Sequence, residues 1–306
     1  MDNEREAFIM KIFYHNDNDG KAAAAVVNCY LKSKGEKLNR EDFYAVNYAD
    51  RTPDADLIER GEPVYIVDYS FTEDTFDKLS ALCFKSCSNI YWYDHHKSSL
   101  EIYDYVKERN LCTEVIIDMD RSGAMIVYDR FIKGTDLDSD DTNKVMTLVD
   151  DYDRWIHNYP ESLLFNIGST MYNNGPLDNI WFEDPEEIIE KGAIIQEYNN
   201  KVNTDLTKIN KYFIKVNDKR CIVLNSAIKS SQALGEYYDK YGFAIRWVFD
   251  GKNYNYSVYS NYDDIDCSAI ARYFDKLGGG HKGAAGFNSD RLLFKDGYSF
   301  RIKMDN

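Results

Sequence analysis

In the first half of the chain, three apolar runs each stop on a residue that can ligate a metal. Phe8-Ile9-Met10-Lys11-Ile12-Phe13-Tyr14 stops at His15, Pro63-Val64-Tyr65-Ile66-Val67 at Asp68, and Ile90-Tyr91-Trp92-Tyr93 at Asp94. Short apolar runs rich in β-branched and aromatic residues read as strands. Phe43–Val46 and Glu114–Ile117 are two further strands. Helical patterns lie between them, at Lys21–Leu31, Thr72–Phe84 (with Thr72 or Asp74 as cap) and Gly123–Ile132 (with Ser122 as cap). Alternation of this kind implies an α/β domain with a mostly parallel sheet. The C-terminal ends of parallel strands share one edge, where α/β folds place their sites. His15-Asn16-Asp17-Asn18-Asp19, Asp68 and Asp94-His95-His96 therefore meet on one rim.

The second half reads differently. Asp184-Pro185-Glu186-Glu187 opens a long helix toward Leu206, with its acidic residues suited to a helix N-terminus. Strand-like runs follow at Tyr212–Val216, Cys221–Asn225, Phe243–Phe249, Tyr254–Tyr259 and Tyr298–Met304, with a helix near Ser268–Leu277. Gly278-Gly279-Gly280-His281-Lys282-Gly283 lies before the last strand, a glycine-rich turn suited to holding an anion on backbone N–H groups. The expected organisation is an N-terminal α/β domain over 1–162, a helical connector over 163–210 and a smaller α/β domain over 211–306.

The chemistry of the rim follows from its ligands. In His15-x-Asp17-x-Asp19-Gly20, alternate side chains of an extended loop face one way, so three ligands can share a pocket. Hard oxygens with imidazole suit manganese or magnesium. The calcium-loop pattern fails, because Val26 stands where that loop needs its glutamate. Asp68 is placed to be shared between two cations, as a two-metal site requires. In Asp94-His95-His96, one histidine can bind metal while its neighbour faces a phosphate, with Asp94 orienting an imidazole. Asp150, Asp151 and Asp153 crowd a helix C-terminus, where they oppose the dipole and call for a compensating cation. Ser122-Gly123-Ala124 reads as an ordinary helix start, with phosphate attraction as its alternative. Tyr69, Phe71 and Trp155 read as core residues, with base stacking as theirs.

Composition narrows the partners. Four of the five histidines (His15, His95, His96, His281) fall in the motifs above. A formal charge of −15 argues against binding long nucleic acid, which needs many phosphates neutralised. It leaves room for a short anionic substrate, since bound cations reverse the local field. No apolar run approaches the roughly 20 residues of a membrane span. The polar start Met1-Asp2-Asn3-Glu4-Arg5-Glu6 is unlike a secretory signal, which places the chain in the cytoplasm. Six cysteines without a Cys-x-x-Cys pair read as reduced core thiols.

With these residues in view, the chain resembles the DHH phosphoesterases that carry a DHH-associated C-terminal domain, and within them the nanoRNase or oligoribonuclease group. His15–Gly20 is similar to the first motif, Asp68 to the second, Asp94-His95-His96 to the signature, Asp153 to the fourth and Gly278–Phe287 to the C-terminal motif. Asp150 and Asp151 rival Asp153. The resemblance implies an active site in the cleft between two domains and two divalent cations, manganese before magnesium. One cation would be held by His15, Asp17 and Asp68, the other by Asp19, Asp68, His95 and Asp153. His96 would contact the scissile phosphate, beside Asp94 and Asp68. Gly279, Gly280, His281 and Lys282 would grip the far end of a short oligonucleotide. A homodimer is compatible with this reading; a duplex or membrane partner is not. Where members often carry Arg-Ser before the glycine-rich turn, this chain has Tyr259-Ser260, so that a phosphate contact is either missing or replaced by Lys282. Cyclic dinucleotide hydrolysis and removal of phosphate from adenosine 3′,5′-bisphosphate are the rival activities. Pyrophosphate is disfavoured by the short His15-to-Asp17 spacing, and a catalytically idle sensor by the full ligand set.

Overall fold

The computed structural model describes residues 10–47, 63–86, 89–228, 231–234 and 236–303. Phe8 and Ile9 of the expected first strand, Cys87 and Met304 lie outside them. The chain divides into two compact units, Met1–Ala193 and Ile194–Asn306.

The first unit is built on five strands, β1 (Lys11–His15), β2 (Phe43–Val46), β3 (Val64–Val67), β4 (Ile90–Asp94) and β5 (Glu114–Ile117). They run in the order β2-β1-β3-β4-β5, every neighbouring pair parallel. Both faces of the sheet are covered, and the period-2 alternation of strand side chains divides its residues between two cores. Ile12, Tyr14, Tyr65, Val67 and Tyr93 face one core, with α1 (Asn18–Ser33), α4 (Gly123–Phe131) and α5 (Asp140–Asp153). Phe13, Val64, Ile66 and Trp92 face the other, with α2 (Glu73–Ser86) and α3 (Leu100–Glu108). Four consecutive alanines, Ala22–Ala25, are fully buried along α1. Small side chains let α1 lie close to α4 and the sheet. Tyr69 and Phe71 are core residues, 5% and 2% exposed.

Helix α6 (Pro160–Gly168) and the long α7 (Glu186–Asn210) follow. Gly168 and Gly192 let these two helices touch backbone to backbone: a Cβ on Gly168 would lie 1.9 Å from the Ile188 carbonyl oxygen, and one on Gly192 1.9 Å from that of Leu164. Among the described residues no helix is long and apolar enough to cross a membrane, and the cysteines are free thiols.

The second unit is a seven-stranded mixed sheet. Its strands are β6 (Lys211–Val216), β7 (Lys219–Asn225), β8 (Phe243–Phe249), β9 (Tyr254–Ser260), β10 (Gly279–Gly280), β11 (Ala284–Ser289) and β12 (Ser299–Phe300), in the order β10-β11-β9-β8-β7-β6-β12. Helix α8 (Glu236–Tyr241) precedes β8, and α9 (Cys267–Phe274) packs on a core that includes Val223, Ile245, Val258 and Phe287. The expected terminal strand over Tyr298–Met304 shortens to the two residues of β12, which pair with β6. The glycine-rich segment is a hairpin: β10 and β11 pair antiparallel around His281-Lys282-Gly283.

Candidate metal centre

Strand order fixes where the motifs meet. In a sheet ordered 2-1-3-4-5, the crevice opens where β1 and β3 send their connections to opposite faces. His15 ends β1, Asp68 follows β3 and Asp94 ends β4, so the three motifs stand on adjacent strands at that edge.

Each carboxylate is then aimed by its own backbone. Asp17 caps α1, accepting from the Gly20 N–H at 2.9 Å, while its other oxygen lies 2.8 Å from His15 Nδ1. Gly20 is required there, because a Cβ would sit 2.1 Å from the His15 carbonyl oxygen. Asp19, 2% exposed, accepts from the N–H groups of Gly123 and Ala124 at 2.7 and 2.9 Å. The start of α4 is thus an anchor for a buried carboxylate, with N–H groups otherwise orphaned in the first turn. The sequence reading of an ordinary helix start missed this. Gly123 makes it possible, since a Cβ would lie 2.6 Å from Asp68 Cβ.

Asp68 is the most constrained group in the cluster. It is 1% exposed and holds a left-handed backbone, φ 55°, a conformation costing a non-glycine residue about 1–3 kcal/mol. Its own N–H is fixed on the Tyr93 carbonyl at 2.8 Å. Three imidazoles crowd its carboxylate: His95 Nε2 at 3.1 Å, His15 Nδ1 at 3.6 Å and His96 Nδ1 at 3.7 Å. Yet neither Asp68 oxygen makes a hydrogen bond of good geometry, and Asp153 Oδ2 is in the same position. Burial, and next the negative charges of Asp19 and Asp17, drive the Asp68 carboxyl well above the usual carboxylate range. Asp153 is raised in the same way by burial and Asp19. His15 moves oppositely: burial works against its charge, but the Asp17 and Asp68 carboxylates facing its Nδ1 prevail and push it up to about 10.

Buried carboxylates held without a hydrogen bond of good geometry, facing imidazoles, are what a divalent cation relieves. The ligand atoms sort into overlapping groups within 4.8 Å of one another: His15, Asp17 and Asp68; Asp19, His95 and Asp153; Asp68, His95 and His96. The donor set is oxygen and imidazole, matching hard or borderline cations.

Asp94 stands behind this cluster. It is fully buried, and its Oδ1 accepts from the His95 and His96 N–H groups at 2.8 and 3.2 Å. The same oxygen lies 2.8 Å from His96 Nδ1, and Ser99 Oγ donates to Oδ2. Burial opposes ionisation, but the bonds from His96 and Ser99 hold the carboxyl below its ordinary range. One aspartate therefore sets both the turn and the ring of His96, and the far ring nitrogen, Nε2, is turned away from Asp94.

The three carboxylates that end α5 take three different places. Asp153 Oδ2 lies 3.3 Å from His95 Nε2, inside the cluster. Asp150 accepts from the Ser122 N–H at 2.6 Å and from Arg154 at 3.3 Å. Asp151, 3% exposed, accepts from the N–H groups of Asn158 and Tyr159 at 2.8 and 3.2 Å. Cation compensation, expected for all three, is needed only at Asp153; N–H donors and Arg154 serve the others.

Gly279, Gly280, His281 and Lys282 belong to the second unit. The His281 N–H is bonded to the Ala284 carbonyl at 2.7 Å, so that N–H closes the hairpin and is not offered to an anion. Gly280 has φ 140°, and a Cβ there would meet the Ala284 carbonyl oxygen at 2.6 Å. The sequence reading passed over Arg246. This arginine on β8 is 4% exposed and donates to the Ser226 carbonyl and Ser257 Oγ, both at 2.9 Å, beside Tyr259. An arginine inside Phe-Ala-Ile-Arg-Trp-Val-Phe was the available signal.

No protein-family model and no curated sequence matches the chain. Solved structures do match, at low identity. An exopolyphosphatase-related protein from Bacteroides fragilis superposes with a TM-score of 0.59 at 14% identity, covering 95% of this chain and 89% of that one. A pGpG-specific phosphodiesterase from Vibrio cholerae gives 0.55 at 14%, covering 91% and 92%. The chain shares the fold of these proteins, as its resemblance to the DHH phosphoesterases implies. RecJ from Thermus thermophilus, solved in complex with Mn2+, gives 0.50 at 13% identity, covering 97% of this chain but 54% of RecJ. Asp94-His95-His96, the segment that carries the resemblance, stands where β4 ends and the cluster begins.

Proposed function

We propose that this chain is a metal-dependent phosphodiesterase that hydrolyses short oligonucleotides to mononucleotides. The observation that carries the reading is Asp68: a buried carboxylate in a left-handed backbone, without good hydrogen bonds, at the centre of His15, Asp17, Asp19, His95 and Asp153. Those residues would hold two divalent cations, manganese or magnesium, with Asp68 shared. When bound, the cations would acidify water toward neutral pH and neutralise phosphate charge.

The chain's own groups do the rest. Gly123 and Ala124 hold Asp19 in place, and the Gly20 N–H holds Asp17, so the ligand oxygens are set before any cation arrives. Such preorganisation is where electrostatic catalysis gains most. Asp94 positions His96 so that Nε2 is presented to a non-bridging phosphate oxygen, where a hydrogen bond favours the transition state. The acidic surface, −15 overall, disfavours long polyanions and so favours short ones. Fold likeness to a pGpG-specific phosphodiesterase and to RecJ holding Mn2+ supports the substrate class and the metal.

The test is product release by metal-stripped protein with manganese restored. The panel is a 5′-labelled pentaribonucleotide, a dinucleotide, a cyclic dinucleotide and adenosine 3′,5′-bisphosphate. Stepwise mononucleotide release from the linear oligomers is expected. Cleavage confined to the cyclic or bisphosphate compound, or no manganese-dependent cleavage, overturns it.

A further inference from the structure

The fifth histidine, which no motif absorbed, lies four residues beyond Asp153 in a loop of unusual backbone. Trp155 and His157 both have left-handed conformations, φ 60° and 56°. Bulky residues rarely adopt this region, and they persist there only when surroundings over-determine them. Here the surroundings are Asp151. Its carbonyl accepts from the Ile156 and His157 N–H groups at 3.0 and 3.4 Å, and its buried carboxylate from Asn158 and Tyr159. Four successive N–H groups are thus tied to one residue at the end of α5.

What that clamp holds in place is a set of rings. The Trp155 and His157 rings are 4.5 Å apart, and Tyr152 lies 6.3 and 5.9 Å from them. Trp155 is only half-buried and His157 exposed, and neither belongs to a core cluster. Core packing therefore does not explain the strain. Tyr152 connects the rings to the chemistry, since it lines one pocket together with Asp17, Asp19 and Asp153, walled also by Leu148 and Phe165.

We infer that Trp155, braced by the steeply inclined rings of His157 and Tyr152 (interplanar angles 73° and 56°), is a stacking platform for a nucleobase of the substrate, held beside the metal cluster by Asp151. The inference rests on the phosphodiesterase reading and narrows it: the substrate must carry a ring next to its scissile phosphate, which excludes pyrophosphate and polyphosphate. Base–aromatic stacking tolerates any base, because every base has a π-face. The platform therefore sets nucleotide over inorganic phosphate without choosing among sequences.

Two readouts test this with the full-length protein. The first is the KM for the dinucleotide pApA with manganese, for wild type, Trp155→Leu and Trp155→Phe. Loss of one stacked base corresponds to about 5- to 150-fold in affinity. Trp155→Leu is expected to raise KM at least fivefold while binding Mn2+ as wild type does, and Trp155→Phe to stay within about twofold of wild type. The second readout needs no hydrolysis: pApA added in calcium should quench tryptophan fluorescence in wild type but not in Trp155→Phe. Hydrolysis with an unchanged KM in Trp155→Leu overturns the platform and leaves the phosphodiesterase standing. Quenching without hydrolysis of any nucleotide keeps the platform and overturns the phosphodiesterase. Neither quenching nor hydrolysis overturns both.

Discussion

Gly123 and Asp68 approach so closely that no side chain fits between them: a Cβ on Gly123 would lie 2.6 Å from Asp68 Cβ and 3.1 Å from Asp19 Oδ2. One glycine thereby brings a helix N-terminus against two buried carboxylates. Gly123→Ala must push α4 or Asp68 aside. Overpacking of this sort costs about 1–3 kcal/mol, and it should also weaken Mn2+ binding, measured by calorimetry on the metal-stripped variant. An unchanged melting temperature together with wild-type Mn2+ affinity would refute the role given to this contact.

Asp68→Asn should separate stability from function. Burial, then Asp19 and Asp17, raise this carboxyl above its ordinary value of 3.8. Where the folded value exceeds the unfolded one, the folded state binds the extra proton, so stability is lost as pH rises between the two. The metal-free protein bears more of that cost as the pH rises above 3.8. Asp68→Asn is expected to melt higher than wild type without metal, to show a flatter pH dependence above pH 4, and to gain nothing from manganese. Wild type should gain about 4 kcal/mol at a thousandfold excess of metal over Kd. A metal-free Asp68→Asn protein that melts below wild type would contradict the assignment.

Asp94→Asn keeps an acceptor for the two backbone N–H groups but removes the charge that His96 Nδ1 faces. Partners of this kind are worth about 10–100-fold in activity. The expected result is a fall of that size in kcat with the KM and Mn2+ affinity retained. Equal losses in kcat and Mn2+ binding would instead place Asp94 among the ligands.

Asp151→Ala and Asp153→Ala, two residues apart, should behave differently. The first removes the acceptor of the Asn158 and Tyr159 N–H groups, at about 0.5–1.5 kcal/mol per hydrogen bond lost. It should speed hydrogen exchange over 155–159 and raise the KM for pApA while Mn2+ still binds. The second should lose one Mn2+ and leave exchange in the loop slow. Matching phenotypes would show that the two carboxylates do not divide the work as their contacts indicate.

Much of this was legible because the parallel strands are buried on both faces, so their apolar runs are conspicuous and end abruptly on His15, Asp68 and Asp94. Asp94-His95-His96 also declares its own turn, since an aspartate two residues before a histidine can reach both following N–H groups. Other parts depend on phase and neighbours. Asp150, Asp151 and Asp153 differ by helix rotation, roughly 100° per residue, and only the position of α5 against α4 and the loop decides which one faces the cluster. Gly123 reads as any helix-opening glycine until Asp68 is placed against it from a strand 55 residues earlier. Arg246 was hidden because a charge inside an apolar strand becomes intelligible only once Ser226 and Ser257 are brought beside it.

The end of α5 assigns three residues of a single helical turn to three separate neighbours: Asp150 to the start of α4, Asp151 to the following loop and Asp153 to the imidazole of His95. Each assignment is a matter of angle, and one residue gained or lost within Asp140–Val149 would rotate all three by about 100° at once. This stretch can therefore drift in composition far more freely than in length. Among relatives with this arrangement, gaps should collect in the loops before Ser139 and after Gly168, and leave α5 uninterrupted.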